Sequence, residues 1–262
     1  MKRTFHDVWS PQRRNRRDVD VYLPASYSSG SRRYPVVYMH DGQNLSDPSI
    51  AFAGRTWDVE GTLERLAARG LELIVVGIHP SGETRLAEYS PFPDRLHGGG
   101  EGDAYLAFLV ETLKPRIDRV FRTRTGREDT AIVGSSMGGL ISLYAFFKHS
   151  RVFGRAAVMS PSIWFGQHRV LDYVAAARAV RGRIYLDVGA QEGGNTVRDA
   201  RKLARLLVRM GYRKDRRVTP RGGSELLKGG VGTLRYVEDP IGKHEEAAWA
   251  VRLEPALDFL VD

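Results

Sequence analysis

A mostly parallel α/β sheet, covered by helices on both faces and extended by antiparallel strands at its N-terminal edge, is what this 262-residue sequence predicts. Two observations predict it. Short apolar runs closed by turn-forming residues recur along the chain, as strands buried on both faces require. Helical stretches separate them, and such alternation is the mark of crossovers between parallel strands.

The elements follow in order. "TFHDVW" and "VDVYLP" flank the polar, proline-containing "SPQRRNRR" and read as a hairpin. After the loop "ASYSSGSRR" come the strands of "YPVVYMHDGQN", "LELIVVGIHP", "DTAIVGSS", "GRAAVMSPS", "RIYLDVGAQEGG" and "GTLRYVEDPIG". Helices are expected over 57–69, over 104–119 with Asp103 as N-cap, over 140–148, over 196–210, and from Glu245 onward. Pro255 is expected to kink or restart the last one, because proline lacks the N–H that the helix needs.

The chain is long enough for one large domain, 1–262, with 42% hydrophobic residues to fill its core. The absence of cysteine excludes disulfides and thiolate metal sites. The N-terminus carries no secretory-type apolar run, and no stretch reaches the roughly 18 apolar residues of a membrane span. A soluble, cytoplasmic protein is expected, with no membrane partner. The net charge of +9 could suit a polyanion, but only 7 of the 40 basic residues are lysine and the arginines are spread throughout, so no nucleic-acid partner is expected.

Ligands of such sheets bind at the carboxyl ends of the strands. That places "HDGQN", "GSSMGG", "SPSIWF", "GAQEGG" and "DPIGKHE" on the functional side. The basic, glycine-rich stretch 213–232 falls on the other side, as a surface insertion or a contact in a homo-oligomer.

Within "GSSMGG", Gly134, Ser136 and Gly138 form G-x-S-x-G between a strand and a helix, the context that gives the motif its meaning. A sharp turn there raises the Ser136 hydroxyl above the sheet, while the Met137 amide at the helix start faces a developing oxyanion. Ser135 would need glycines at 133 and 137, where Val133 and Met137 stand. A serine hydroxyl is a weak nucleophile and needs a base, itself oriented by a carboxylate. Three histidines follow Ser136. His149 ends a helix, where a cation suits the terminal carbonyls. His168 precedes the strand that should supply the acid, and His244 follows the last strand, where the base is required.

With these motifs in place, "YPVVYMHDGQN", "VVGI", "RLAEYSP", "GSSMGGLISLYAFF", "SPSIWF", "VGAQE" and "GKHEEAAWAVRLEPALDFL" resemble, in order, the α/β-hydrolase esterase family. That family groups enterochelin, feruloyl and acetyl-xylan esterases, esterase D and the antigen 85 mycolyltransferases. The resemblance implies a serine, histidine and acid triad, with Ser136 as nucleophile and His244 as base. Matching "VGAQE" to the family's V-G-x-x-E implies Glu192 as the acid. The residues agree independently: Glu192 follows a strand in a glycine-bounded loop, whereas Asp187 lies inside that strand and Asp199 on the next helix. The resemblance also implies the backbone N–H of Gln43 as the second oxyanion donor beside Met137.

Trp57 and Trp164 follow two functional loops, and at least one is expected to wall the pocket. Arg85 and Glu88 of "RLAEYSP" could bind a polar substrate group, or fix their loop by a salt bridge. The expected activity is hydrolysis of a small-molecule carboxylic ester without metal or cofactor. Within the resemblance, an intracellular siderophore esterase leads over a feruloyl or acylated-sugar esterase. Ser135 departs from the histidine usual in esterase D, and the mycolyltransferases are exported. An acyltransferase of the same fold and a non-catalytic binding protein are the alternatives.

Overall fold

Alternate side chains of strands buried on both faces, and stripes of apolar residues on the helices, sort the core into two layers, one on each face of a single sheet. In the computed structural model, residues 1–215 and 230–261 are described. Strands β1 (Lys2–Ser10) and β2 (Asn15–Tyr22) form the expected hairpin. β3 (Val36–His40) leads through α1 (Val59–Ala68) to β4 (Ile74–Ile78). A short helix α2 (Arg85–Glu88) and a small hairpin, β5 (Pro93–Asp94) with β6 (Gly98–Gly99), precede α3 (Gly102–Ala107). α3 continues through a π-helical turn, Phe108–Leu113, into α4 (Lys114–Val120). Then follow β7 (Thr130–Ser135), α5 (Met137–Lys148), β8 (Arg155–Met159), α6 (Arg169–Ala176), β9 (Gly182–Gly189), α7 (Gly194–Arg209), β10 (Tyr212–Lys214), β11 (Gly232–Asp239) and α8 (Glu246–Val261).

The sheet has nine strands in the order β1-β2-β4-β3-β7-β8-β9-β11-β10. β2 runs antiparallel to β1 and β4, and every other pair is parallel, so the predicted antiparallel N-terminal edge is present. Val37 and Met39 of β3 face the layer built by α1 and α8, with Val59, Leu66, Leu253 and Leu257. Val36 and Tyr38 face the larger layer built by α3 to α7, with Leu109, Ile117, Leu140 and Leu203. Alternation along one strand thus divides the core. α7 shows the helical counterpart: Val197, Ala200, Leu203, Ala204 and Leu207 are buried at a helical spacing.

Some expectations are corrected. Asp103 does not cap its helix, which starts at Gly102 with Glu101 before it. The Gly102 N–H is taken by the Ser90 carbonyl, and Asp103 instead accepts from the Tyr144 hydroxyl. α8 runs unbroken through Pro255. The carbonyl that the proline orphans belongs to Val251, an exposed residue, where water can take the bond. α5 starts at Met137, three residues earlier than the sequence suggests, because glycines 138 and 139 are held in the helix by neighbours they touch. α6, β10 and the β5–β6 hairpin are additions. Of the basic stretch 213–232, residues 216–229 lie outside the described residues. No helix among the described residues is long and apolar enough to cross a membrane.

Candidate active site

The turn between β7 and α5 is the centre of the site. Ser136 adopts φ 57° and ψ −121°, a backbone region costing on the order of 1–3 kcal/mol for a non-glycine residue. Neighbouring strands pin it there: the Ser136 N–H donates to the Met159 carbonyl at 3.0 Å, and the Ser162 N–H donates to the Ser136 carbonyl at 3.0 Å. The motif glycines are required by contact. A Cβ on Gly134 would stand 2.6 Å from the backbone carbonyl of Gly138, and one on Gly138 would stand 3.2 Å from the His40 Cβ. Chain therefore crosses chain at van der Waals distance, as expected of a strand-to-helix turn that lifts a hydroxyl clear of the sheet.

Two side chains from distant segments extend that hydroxyl into a hydrogen-bonded relay. His244, between β11 and α8, brings Nε2 to 2.9 Å from Ser136 Oγ and Nδ1 to 2.8 Å from Glu192 Oε2. The carboxylate can only accept from Nδ1, so Nδ1 carries the hydrogen and Nε2 accepts from the serine. The Glu192 loop and the His244 loop are tied together by backbone bonds, Ala190 N–H to the Asp239 carbonyl and Gln191 N–H to the Gly242 carbonyl. The Glu192 carboxylate is fully shielded, whereas the His244 side chain is 40% exposed. Burial pushes the Glu192 carboxyl up, but hydrogen bonds from His244, Ser160 and Gly189 outweigh it and leave the group below the usual glutamate range.

Two serines that sequence reasoning missed complete the immediate surroundings. Ser162 Oγ lies 3.1 Å from Ser136 Oγ, and with the Ser136 hydrogen aimed at Nε2, Ser162 is the donor of that pair. Ser160 Oγ donates to Glu192 Oε1 at 2.5 Å. Both belong to "SPSIWF" at the end of β8, and no local spacing marks them. A non-glycine residue at positive φ, 41° for Ser160, is visible only in the structure.

Gln43 sits in a short 3₁₀ turn, Gly42–Asn44, directly after β3. Contact of Gly138 with His40 and Asp41 sets this turn beside the elbow, so the Gln43 and Met137 backbones belong to segments that pack together. Asp41 holds the turn: it adopts φ 56°, its N–H donates to the Tyr89 hydroxyl at 3.0 Å, and its carboxylate takes two bonds from Arg85 at 2.7 and 2.8 Å. Arg85 is thus engaged with the protein itself, and Glu88 is separately buried among Arg13, Asn15 and Arg17. Of the two roles that sequence left open for this pair, fixing the loops is the one these contacts support, with partners other than each other.

Trp164 is half-exposed, edge-on to His97 at 5.4 Å. Trp57 is corrected: it is 2% exposed and walls no open pocket. Its ring packs at 5.8 Å on Trp249, which in turn stands perpendicular to His244 at 4.9 Å. The other histidines lie elsewhere. His168 pairs with Asp199 at 2.8 Å. His149 is the C-cap residue of α5, with its backbone N–H donating to the Ala145 carbonyl, and it is half-buried, so that burial pushes it below the usual histidine range, against the cation expected there. Beneath the elbow, burial pushes His40 down to about 3, which keeps it neutral, with Nδ1 bonded to the Tyr105 hydroxyl at 2.8 Å.

Comparison with known proteins agrees with this architecture. Residues 10–260 match the family described as "Putative esterase". A 190-residue stretch is 30% identical to the uncharacterized protein YbbA of Bacillus subtilis (strain 168), spanning 70% of this chain and 72% of that one. Over 82 residues the chain is 35% identical to a siderophore enterobactin esterase of Emericella nidulans, spanning 31% of this chain and 26% of that one. The solved structure of BES protein from Bacillus cereus shares the fold at a TM-score of 0.76 and 20% identity, spanning 100% of this chain and 95% of that one. The chain has the α/β-hydrolase fold and belongs to this family of esterases.

Proposed function

We propose that the protein hydrolyses carboxylic esters through an acyl-enzyme, with Ser136 as nucleophile, His244 as base and then acid, and Glu192 as the carboxylate that orients it. The observation that carries this reading is the unbroken relay from Ser136 Oγ through both ring nitrogens to Glu192, at 2.9 and 2.8 Å. Ser136 attacks the ester carbonyl as its proton passes to Nε2, and the tetrahedral oxyanion is held by the Met137 and Gln43 amides. Nε2 returns the proton to the leaving alkoxide, freeing the alcohol. Water then attacks the acyl group by the same route and releases the acid.

The leading substrate class is a siderophore ester, handled in the cytoplasm, with Trp164 offering an aromatic face. Support comes from the resemblance to a siderophore enterobactin esterase and from the half-exposed indole beside the nucleophile's neighbour Ser162. Labelling with a fluorophosphonate probe tests the chemistry, and wild type should label while Ser136→Ala should not. Wild type that stays unlabelled while other serine hydrolases label would overturn the reading. A panel of enterobactin, feruloyl esters and acetylated xylooligosaccharides then ranks the acyl and alcohol groups, and enterobactin is expected to turn over fastest.

A further inference from the structure

Against Glu192 lie three buried groups that the mechanism above does not use, Arg252, Asp187 and Ser160. Arg252, on the second turn of α8, is 4% exposed, and Asp187 and Glu192 present carboxylates with no exposure at all. One guanidinium reaches both: Nη1 donates to Asp187 Oδ1 at 3.2 Å, and Nη2 stands 3.4 Å from Glu192 Oε1. Nη2 also donates to Ser160 Oγ at 3.1 Å, and that hydroxyl accepts from Trp249 Nε1 at 3.0 Å while donating to Glu192. The Gly189 N–H adds a bond to Glu192 Oε1 at 2.7 Å. Glu192 Oε1 is thereby surrounded by donors, and Oε2 is left to the imidazole.

We propose that Arg252 is a positioning residue for the reaction, holding Glu192 ionised and aimed at His244 directly and through the Ser160 hydroxyl. The inference rests on the reading of Ser136, His244 and Glu192 as a triad. The physical case is one of charge. A carboxylate buried this far from water needs a compensating cation or several donors to remain ionised. At rest the cluster holds two carboxyls and one guanidinium. When Nε2 takes the serine proton, the new imidazolium meets a carboxylate whose partners are already in place.

The groups around this cluster come from several elements. Asp187 and Tyr185 belong to β9, Asp239 ends β11 with Oδ2 3.9 Å from Arg252 Nε, and Glu246 opens α8 on the side of Asp41 and Arg85. Arg252 is the cation that touches Glu192 among the described residues. Its planar fork can span two carboxylates and a hydroxyl, which a lysine ammonium cannot do at once.

The test is the pH profile of kcat/KM for a p-nitrophenyl ester, measured on the full chain. Its acidic limb reports proton uptake by the His244–Glu192 pair as a unit. Arg252→Met removes the cation, so the pair should take up its proton more readily: the limb moves to higher pH by about one unit, and the plateau falls on the order of 100-fold. Arg252→Lys keeps the charge, so the limb stays near wild type while the plateau falls by about tenfold. Ser160→Ala removes the short hydroxyl bond without orphaning a charge, so the limb moves up by about half a unit. If Arg252→Met does not fold, as judged by circular dichroism, the Arg252→Lys and Ser160→Ala profiles decide. A helix-anchoring role alone would lower the melting temperature and leave the limb in place, so a folded Arg252→Met with a wild-type limb overturns the proposal. Wild-type profiles for both Ser160→Ala and Arg252→Lys do the same. Turnover by Ser136→Ala would instead sink the triad reading itself, whatever the Arg252 variants do.

Discussion

Ser135 and Ser136 are adjacent in sequence and have different surroundings. Ser136 holds the strained backbone angle and meets His244, whereas Ser135 ends β7 with its residue buried. Ser136→Ala should lower kcat/KM by at least about 10⁴-fold, and Ser135→Ala by less than about fivefold, in a steady-state assay of one ester. Equal losses would mean the elbow has been misread. Gln43→Ala is a milder case, because its backbone N–H is the proposed donor: turnover should fall by less than about threefold, a small part of the loss expected on removing an oxyanion donor. Ser136, Glu192 and His244 could be singled out from sequence because each sits in a short loop after a strand, and the chain order of such sites is fixed. Ser160, Ser162 and Arg252 could not. Their significance lies in distances across β8, β9 and α8, which no local pattern encodes. Trp57 was misjudged for the same reason. Following a functional loop places it near the site in sequence, but its backbone N–H donates to the Asn44 carbonyl and its ring turns inward onto Trp249.

At the scale of elements, the elbow depends on crossing backbones more than on side chains. Gly134→Ala would push a methyl against the Gly138 carbonyl, an atom that cannot swing away. The variant should lose about 3 kcal/mol or more, read as a lower midpoint in chemical denaturation, and should lose turnover even where it remains folded. Eight of the nine strands were legible because short apolar runs ended by turn-forming residues leave little else to form. β10 is three residues long and offers no run to recognise. The β5–β6 hairpin has two residues a side and is held by its turn, where Asp94 accepts the N–H groups of Leu96 and His97. α6 follows residues at positive φ, Gln167 and His168, that sequence gave no reason to expect. The π-helical turn 108–113 is hidden because its apolar spacing matches an ordinary helix closely.

For the whole molecule, the buried charges set a dependence of stability on pH. Burial, only partly offset by Arg252, pushes the Asp187 carboxyl from 3.8 up to about 7. The folded state therefore holds this proton more tightly than the unfolded chain does, and the contribution to stability falls as pH rises between those two values. Asp187→Asn cannot lose the proton. Between about pH 5 and about pH 8 the variant should lose less stability than wild type, by about 2–3 kcal/mol, in urea titrations at the two values. Identical losses would show that Asp187 stays ionised across that range.

The relay spans 108 residues between Ser136 and His244 and 52 between Glu192 and His244. Its serine directly follows the middle strand of the sheet, β7, while its histidine precedes α8. During synthesis the elbow leaves the ribosome before either partner does. On the proposed mechanism the elbow is chemically idle by itself: the relay is complete only where the Glu192 and His244 loops sit against Trp249 and Arg252 of α8.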